Sequence, residues 1–151
     1  MTAGAWRRVC LTALLALLGT PSQANSLSFC GHPARISTEQ ADRLLRVGSL
    51  VEDLLAKSAA KAVIVSRSGL DLRRFKLRYS HAGIALKPEE AKAWQIRQLY
   101  FDCQEERPRI FDQGIPGFVL SQDDENSVFV SLVFLPREEA VRLEERAADK
   151  R

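Results

Sequence analysis

His81 lies in Tyr79-Ser80-His81-Ala82-Gly83-Ile84-Ala85-Leu86, an alternating run that reads as a β-strand. Tyr79, His81, Gly83 and Ala85 fall on one face, and Ser80, Ala82, Ile84 and Leu86 on the other. Gly83 and Ala85 leave room beside the imidazole, so a group on a packed helix can approach it. A histidine placed in this way can act as general base for a nucleophile. A half-buried histidine bonded to a backbone carbonyl or a side chain satisfies the same pattern. Gln98 is the second candidate. It shares a face with Trp94, Ile96 and Tyr100 on the next predicted strand, Trp94 to Phe101. If the two strands pair across the Lys87 to Ala93 connection, its amide can face the imidazole and fix the tautomer. An ordinary exposed strand glutamine is the plain alternative.

Cys103, just beyond that strand, is a conceivable nucleophile for His81. It follows a strand end instead of opening a helix, so no helix terminus lowers its pKa, and a structural thiol or a disulfide to Cys30 fits better. Arg67, Arg73, Arg74, Lys76 and Arg78 form a basic set that could meet an anionic polymer or a membrane surface. Asp102, Glu105, Glu106 and Asp112 offer acidic partners within the chain, and a solvated or internally paired cluster is the expected reading. Asp123, Asp124 and Glu125 fall short of a calcium loop, which needs a longer ligand series and a central glycine. The sequence contains no zinc-spaced cysteine set, Gly-rich phosphate loop or serine elbow, so neither metal nor cofactor is expected.

The elements that would hold these residues follow from periodicity. Ser37 is a cap and Gln40 completes a capping-box spacing, after which Ala41, Leu44, Leu45, Val51, Leu54 and Leu55 recur at helical intervals. Thr38 to Ser58 is therefore predicted as a helix with one face on a sheet, although Gly48 weakens its middle by about 1 kcal/mol. Ala62 to Ser66 reads as a buried strand. Asp71 to Lys76 is a polar connector, and Asp102 to Gly117 reads as loop because of Pro108, Gly114, Pro116 and Gly117. Val128 to Leu135 is the most hydrophobic strand. Pro136 opens a charged helix through Lys150 whose apolar face, Val141, Leu143 and Ala147, is so small that the helix has little to lean on. The order helix, four strands, helix predicts an α+β domain, its N-terminal helix packed on a largely antiparallel sheet.

Residues 1–24 are excluded from this fold. Trp6-Arg7-Arg8 is a basic n-region, Val9 to Leu18 an uncharged apolar core, and Ser22-Gln23-Ala24 a small-residue cleavage site. The apolar run is shorter than the roughly 20 residues of a bilayer span, so a cleaved secretory signal is expected instead of an anchor. Localisation would be periplasmic or secreted, with no stable membrane anchor after cleavage, and residues 25–151 would form one domain. Loss of Arg7 and Arg8 lowers the formal charge from +3 to +1, which removes most support for a nucleic-acid partner. It also leaves Cys30 and Cys103 in an oxidising compartment, where one intramolecular pairing is open to them.

Four ordered stretches carry a resemblance: Ser66-Arg67-Ser68-Gly69-Leu70-Asp71-Leu72, Arg78-Tyr79-Ser80-His81-Ala82-Gly83-Ile84-Ala85, Arg97-Gln98-Leu99-Tyr100, and Pro108-Arg109-Ile110-Phe111-Asp112-Gln113-Gly114. Together they resemble the bacterial domain-of-unknown-function family DUF2145, which is distantly similar to circularly permuted papain-like proteins of the NlpC kind. That group includes cell-wall amidases, peptidases and acyltransferases. The resemblance implies a partial permuted papain-like architecture with His81 as catalytic histidine and Gln98 as the residue orienting it. It also implies a nucleophilic cysteine at the start of a later helix, in a Gln-Asn-Cys-Asn-Gln-Trp type of segment that this sequence lacks. The expectation is thus a shortened, uncharacterised exported protein, inactive as it stands as a thiol hydrolase or acyltransferase. The alternative is a non-enzymatic envelope module that binds a cell-wall fragment or an envelope protein.

Overall fold

The structure, a computed structural model, describes residues 36–70, 72–88, 93–121 and 128–149. The expected signal segment, the Asn25 to Arg35 lead-in, Cys30 and the Asp123 to Asn126 turn lie outside the described residues.

Helix α1 spans Thr38–Lys57. Its N-cap Ser37 accepts a hydrogen bond from the Gln40 backbone N–H through Oγ at 3.2 Å, satisfying a donor with no partner inside the helix. The buried stripe is Gln40, Leu44, Gly48, Val51 and Leu55. Leu45 and Leu54, expected on the apolar face, point to solvent, being 44% and 55% exposed. Gly48 accounts for the shift: it is buried on the stripe and lies against Pro116 of a second helix, so the closest approach falls on the 40-44-48 line.

Strand β1 (Ala62–Arg67) is followed by a 3-10 turn at Arg73–Phe75, then β2 (His81–Leu86) and β3 (Gln95–Asp102). The chain continues through β4 (Arg107–Gly114), helix α2 (Ile115–Leu120), β5 (Val130–Val133) and helix α3 (Arg137–Ala148). The sheet is antiparallel throughout, in the order β4-β3-β2-β1-β5. The α+β class and the N-terminal helix on an antiparallel sheet are as expected from the sequence.

Two predicted features are corrected. The stretch Asp102 to Gly117, read as loop, instead holds β4 and the start of α2. Strand β4 is an edge strand exposed along almost its whole length. Pro108 is tolerated there because an edge residue need not donate to a ladder. The terminal helix is not unsupported either: Ala140 and Ala147 are buried, and Leu143 packs with Ala147 against Ala62, Ile84 and Leu86. Small side chains let α3 approach the sheet closely, which a count of large apolar residues does not register.

While β4 stays exposed, the centre of the sheet is therefore covered on both faces. One carries the main core, where Val63, Val65, Ala85, Trp94 and Ile96 meet Leu44, Val51 and Leu55 of α1 and Ile115, Phe118 and Val119 of α2. Each large side chain sealed there contributes about 1.5–3 kcal/mol. On the other face Arg97 joins α3 to β3. Its guanidinium makes a bidentate pair with Asp112 of β4, Nε to Oδ1 at 2.7 Å and Nη2 to Oδ2 at 2.6 Å, and donates to the Ala147 carbonyl near the end of α3. A planar fork suits this double duty, and the Asp112 carboxylate holds the guanidinium pKa above its usual value.

Candidate functional site

His81 opens β2 directly opposite Arg67 of β1 in the sheet register. Gly83, Ala85 and the imidazole share the face covered by α2. The His81 ring meets Tyr100 edge-on at 5.8 Å between centroids and Phe118 of α2 at 5.9 Å. Phe118 is fully buried and is stacked in turn by the Arg67 guanidinium, whose Cζ lies 5.3 Å from the ring centroid. Arg67 is itself buried and donates from Nη1 to the Ser68 carbonyl at 3.1 Å. It is thus no part of a solvated basic face.

Gln98 is brought to the imidazole. Its Oε1 lies 2.5 Å from His81 Nε2, and its side chain is 8% exposed. The approach depends on Gly83: a Cβ there would sit 2.6 Å from Ile96 Cγ2, 3.0 Å from the Arg97 carbonyl and 3.4 Å from Gln98 Cβ. Gln98 Nε2 donates onward to Gln113 Oε1 at 2.6 Å, and Gln113 Nε2 reaches Ser121 Oγ at 3.5 Å, a long contact. Ser121 Oγ donates to the Gly117 carbonyl at 2.8 Å. Gly117 leaves space for this chain, since a Cβ on it would lie 2.7 Å from Gln113 Nε2.

The direction of the relay follows from its far end. A carbonyl oxygen only accepts, so the Ser121 hydroxyl spends its proton on Gly117 and accepts from the Gln113 amide nitrogen. Gln113 then presents Oε1 to Gln98, which must donate from Nε2 and turn its own Oε1 toward His81. Only a protonated Nε2 can meet that oxygen. The neutral imidazole consequently holds its proton on Nε2 and its lone pair on Nδ1, and among the described residues no hydrogen bond reaches Nδ1. Burial holds the His81 pKa below the usual imidazole value; the Gln98 hydrogen bond pulls it upward and the nearby Arg67 charge presses it down again. A neutral ring with a free Nδ1 lone pair is a proton acceptor.

Cys103, in the turn after β3, is disulfide-bonded and is not a thiol available to His81. The turn around it is held by Asp102, whose Oδ1 accepts from the Gln104 and Glu105 backbone N–H groups at 2.9 and 3.1 Å. These bonds, Glu105's first, hold its carboxyl below the usual range. The acidic residues expected to pair with the basic set have other partners: Glu105 pairs with Arg107 and Arg109, and Asp112 with Arg97. Among the described residues no cluster of three His, Cys, Asp or Glu side chains is placed to hold a metal ion.

Gln113, Phe118 and Ser121 were not found by sequence reasoning: Gln113 lies in the Asp102 to Gly117 stretch that reads as loop, and no element was predicted over Phe118 and Ser121. The signal for Gln113 was its place in the Pro108 to Gly114 stretch of the resemblance. No curated protein and no solved structure matches the chain. A family model described as "Uncharacterized protein conserved in bacteria (DUF2145)" matches residues 54–151, a span that takes in His81, Gln98, Gln113 and Ser121, and the chain belongs to that family.

Proposed function

We propose that this chain carries the acid–base half of a thiol-dependent hydrolase or acyltransferase site of the permuted papain-like kind, acting on an amide or ester. His81 is the general base through Nδ1, and Gln98 is the positioning residue that fixes its tautomer. The one-way relay from His81 to the Gly117 carbonyl carries this reading. It commits Nε2 to the interior and leaves the other nitrogen to receive a proton from an attacking thiol, as a triad requires. The depressed pKa supports it, because the ring is then largely neutral near pH 7.

Among the described residues no free cysteine thiol is present, because Cys103 is oxidised, and the sequence holds no cysteine segment of the Gln-Asn-Cys-Asn-Gln-Trp type. On that ground we assign this sequence, as it stands, no turnover of its own. Incubation with an alkylating thiol probe, before and after mild reduction, tests this. The expected result is no labelling that depends on His81; labelling lost on His81→Ala would overturn the inactive assignment.

A non-enzymatic envelope module is the second reading. Its support is β5, an edge strand that ends on the exposed Val133 and is preceded by the exposed Phe129, since an open edge can add a strand from a partner. Envelope pull-down compared with peptidoglycan co-sedimentation separates a protein partner from a cell-wall fragment. Both readings place the protein in the periplasm or outside the cell, and fractionation of expressing bacteria checks this.

A further inference from the structure

Between β1 and β2 the chain leaves the sheet and returns through Arg73-Arg74-Phe75-Lys76-Leu77-Arg78-Tyr79, seven consecutive exposed residues. Large apolar side chains stand in solvent there: Phe75 is 55% and Leu77 57% exposed, and Tyr79 41%. They alternate with cations, and residues 72–80 contain no acid. Among the described residues no carboxylate comes within ion-pair distance of Arg74, Lys76 or Arg78. Two guanidinium groups instead lie over aromatic rings, Arg74 Cζ 4.4 Å from the Phe75 centroid and Arg78 Cζ 4.6 Å from that of Phe129.

The segment has a defined shape. Phe75 and Lys76 donate backbone hydrogen bonds to the Leu72 and Arg73 carbonyls, both at 2.9 Å, and Leu77 donates to Leu72 at 3.3 Å. Lys76 adopts φ 57°, which turns the chain back. At the base, Ser80 N–H donates to the Arg67 carbonyl at 3.1 Å and Leu70 N–H to Ser80 Oγ at 3.0 Å. A preformed turn lowers the ordering cost of binding.

We propose that this turn docks the protein on an anionic phospholipid surface, with Phe75 and Leu77 entering the headgroup boundary and Arg74, Lys76 and Arg78 on the lipid phosphates. Exposed apolar side chains interleaved with unneutralised cations match that boundary, where aromatic rings sit at headgroup level and basic groups meet anionic lipid. A soluble polyanion would satisfy the cations but gives Leu77 nothing to bury in. The inference is independent of the role assigned to His81. Because Tyr79 and Ser80 run straight into β2, docking would set the His81 end of the sheet toward the lipid.

Co-sedimentation of the full chain with phosphatidylcholine vesicles, with and without phosphatidylglycerol, tests the proposal. Binding should require phosphatidylglycerol and weaken as salt rises. Arg74→Ser with Arg78→Ser should weaken it about 25-fold, near fivefold per cation, and Phe75→Ser with Leu77→Ser by roughly tenfold or more. Thermal unfolding of each variant should match the parent, because the replaced groups are exposed; Arg74→Gln with Arg78→Gln and Phe75→Gln with Leu77→Gln replace any pair that unfolds. Absence of binding, equal binding to neutral vesicles, or full retention by the Phe75/Leu77 variant would each overturn the proposal. So would equally tight capture by a soluble anionic glycan.

Discussion

Replacing Gln98 by glutamate changes one atom type at the centre of the relay and should move the His81 midpoint from below the usual imidazole value to above it. In the native chain an amide oxygen 2.5 Å from Nε2 accepts a hydrogen bond from a neutral ring. A carboxylate in that place attracts the imidazolium by about 4 kcal/mol for charge centres some 4 Å apart at an effective dielectric near 20. Desolvation of the new carboxylate and the adjacent Arg67 offset part of this. A carboxylate partner of this kind typically tightens proton binding about ten- to thousandfold, or about 1.4–4 kcal/mol. The glutamate can no longer donate to Gln113, so that amide must turn over and present Nε2. The sequence contains only two histidines, so a His32→Gln background leaves a single imidazole for ¹⁵N NMR titration. The parent should show its proton on Nε2 and a midpoint below the usual imidazole value, and Gln98→Glu a midpoint above it. A parent ring protonated on Nδ1, or a midpoint that does not rise in the variant, would refute the relay.

Stability should also depend on His81. Burial lowers its folded pKa, so the unfolded chain binds the proton more readily and stability rises with pH in the interval between the two values. The urea midpoint should fall as pH drops below about 6.5, and that part of the fall should vanish in His81→Gln. The glycines separate by available space. Gly83→Ala should cost roughly 1–3 kcal/mol through overpacking against Ile96. Gly48→Ala, whose Cβ would meet Pro116 Cα at an ordinary 3.6 Å, should gain about 0.5–1 kcal/mol; equilibrium denaturation reads both. Gly117→Ala should displace Gln113 and leave Gln98 Nε2 without its acceptor, at a cost of roughly 1–3 kcal/mol, together with a change in the His81 ¹⁵N pattern. Cys103→Ser should lower stability by about 2–4 kcal/mol, and non-reducing peptide mapping should recover Cys103 joined to Cys30.

What could be read in advance tracked how each element is buried. Helix α1 places one clear apolar stripe on the main core, so its periodicity was visible, and β1 and the end of β2, covered on both faces, read as the short apolar runs Ala62 to Val65 and Ile84 to Leu86. Strand β4 has no such contrast, because Arg107 to Asp112 are all exposed. Its pairing is set by the β3 ladder and by the Arg97–Asp112 bridge, which no local pattern records. Helix α2 is six residues long and contains Pro116 and Gly117, both of which signal a break. Pro116 is harmless there because the first turn needs no donor. For α3 the buried positions are alanines, whose burial depends on what lies opposite. His81 and Gln98 were nominated by spacing and resemblance, whereas Gln113 and Ser121 required β4 and α2 to exist first.

The position of β5 bears on how the chain comes together as it is made. Strand β1 emerges early and soon finds β2 beside it, but its other edge waits for Val130–Val133, where Ile64 faces Val133 and Arg67 faces Val130. Until those residues leave the ribosome, an apolar ladder stands open, a template for pairing with another nascent copy. The β1–β5 pairing is also the most distant along the sequence among the described strands, so closure of the sheet should limit the folding rate.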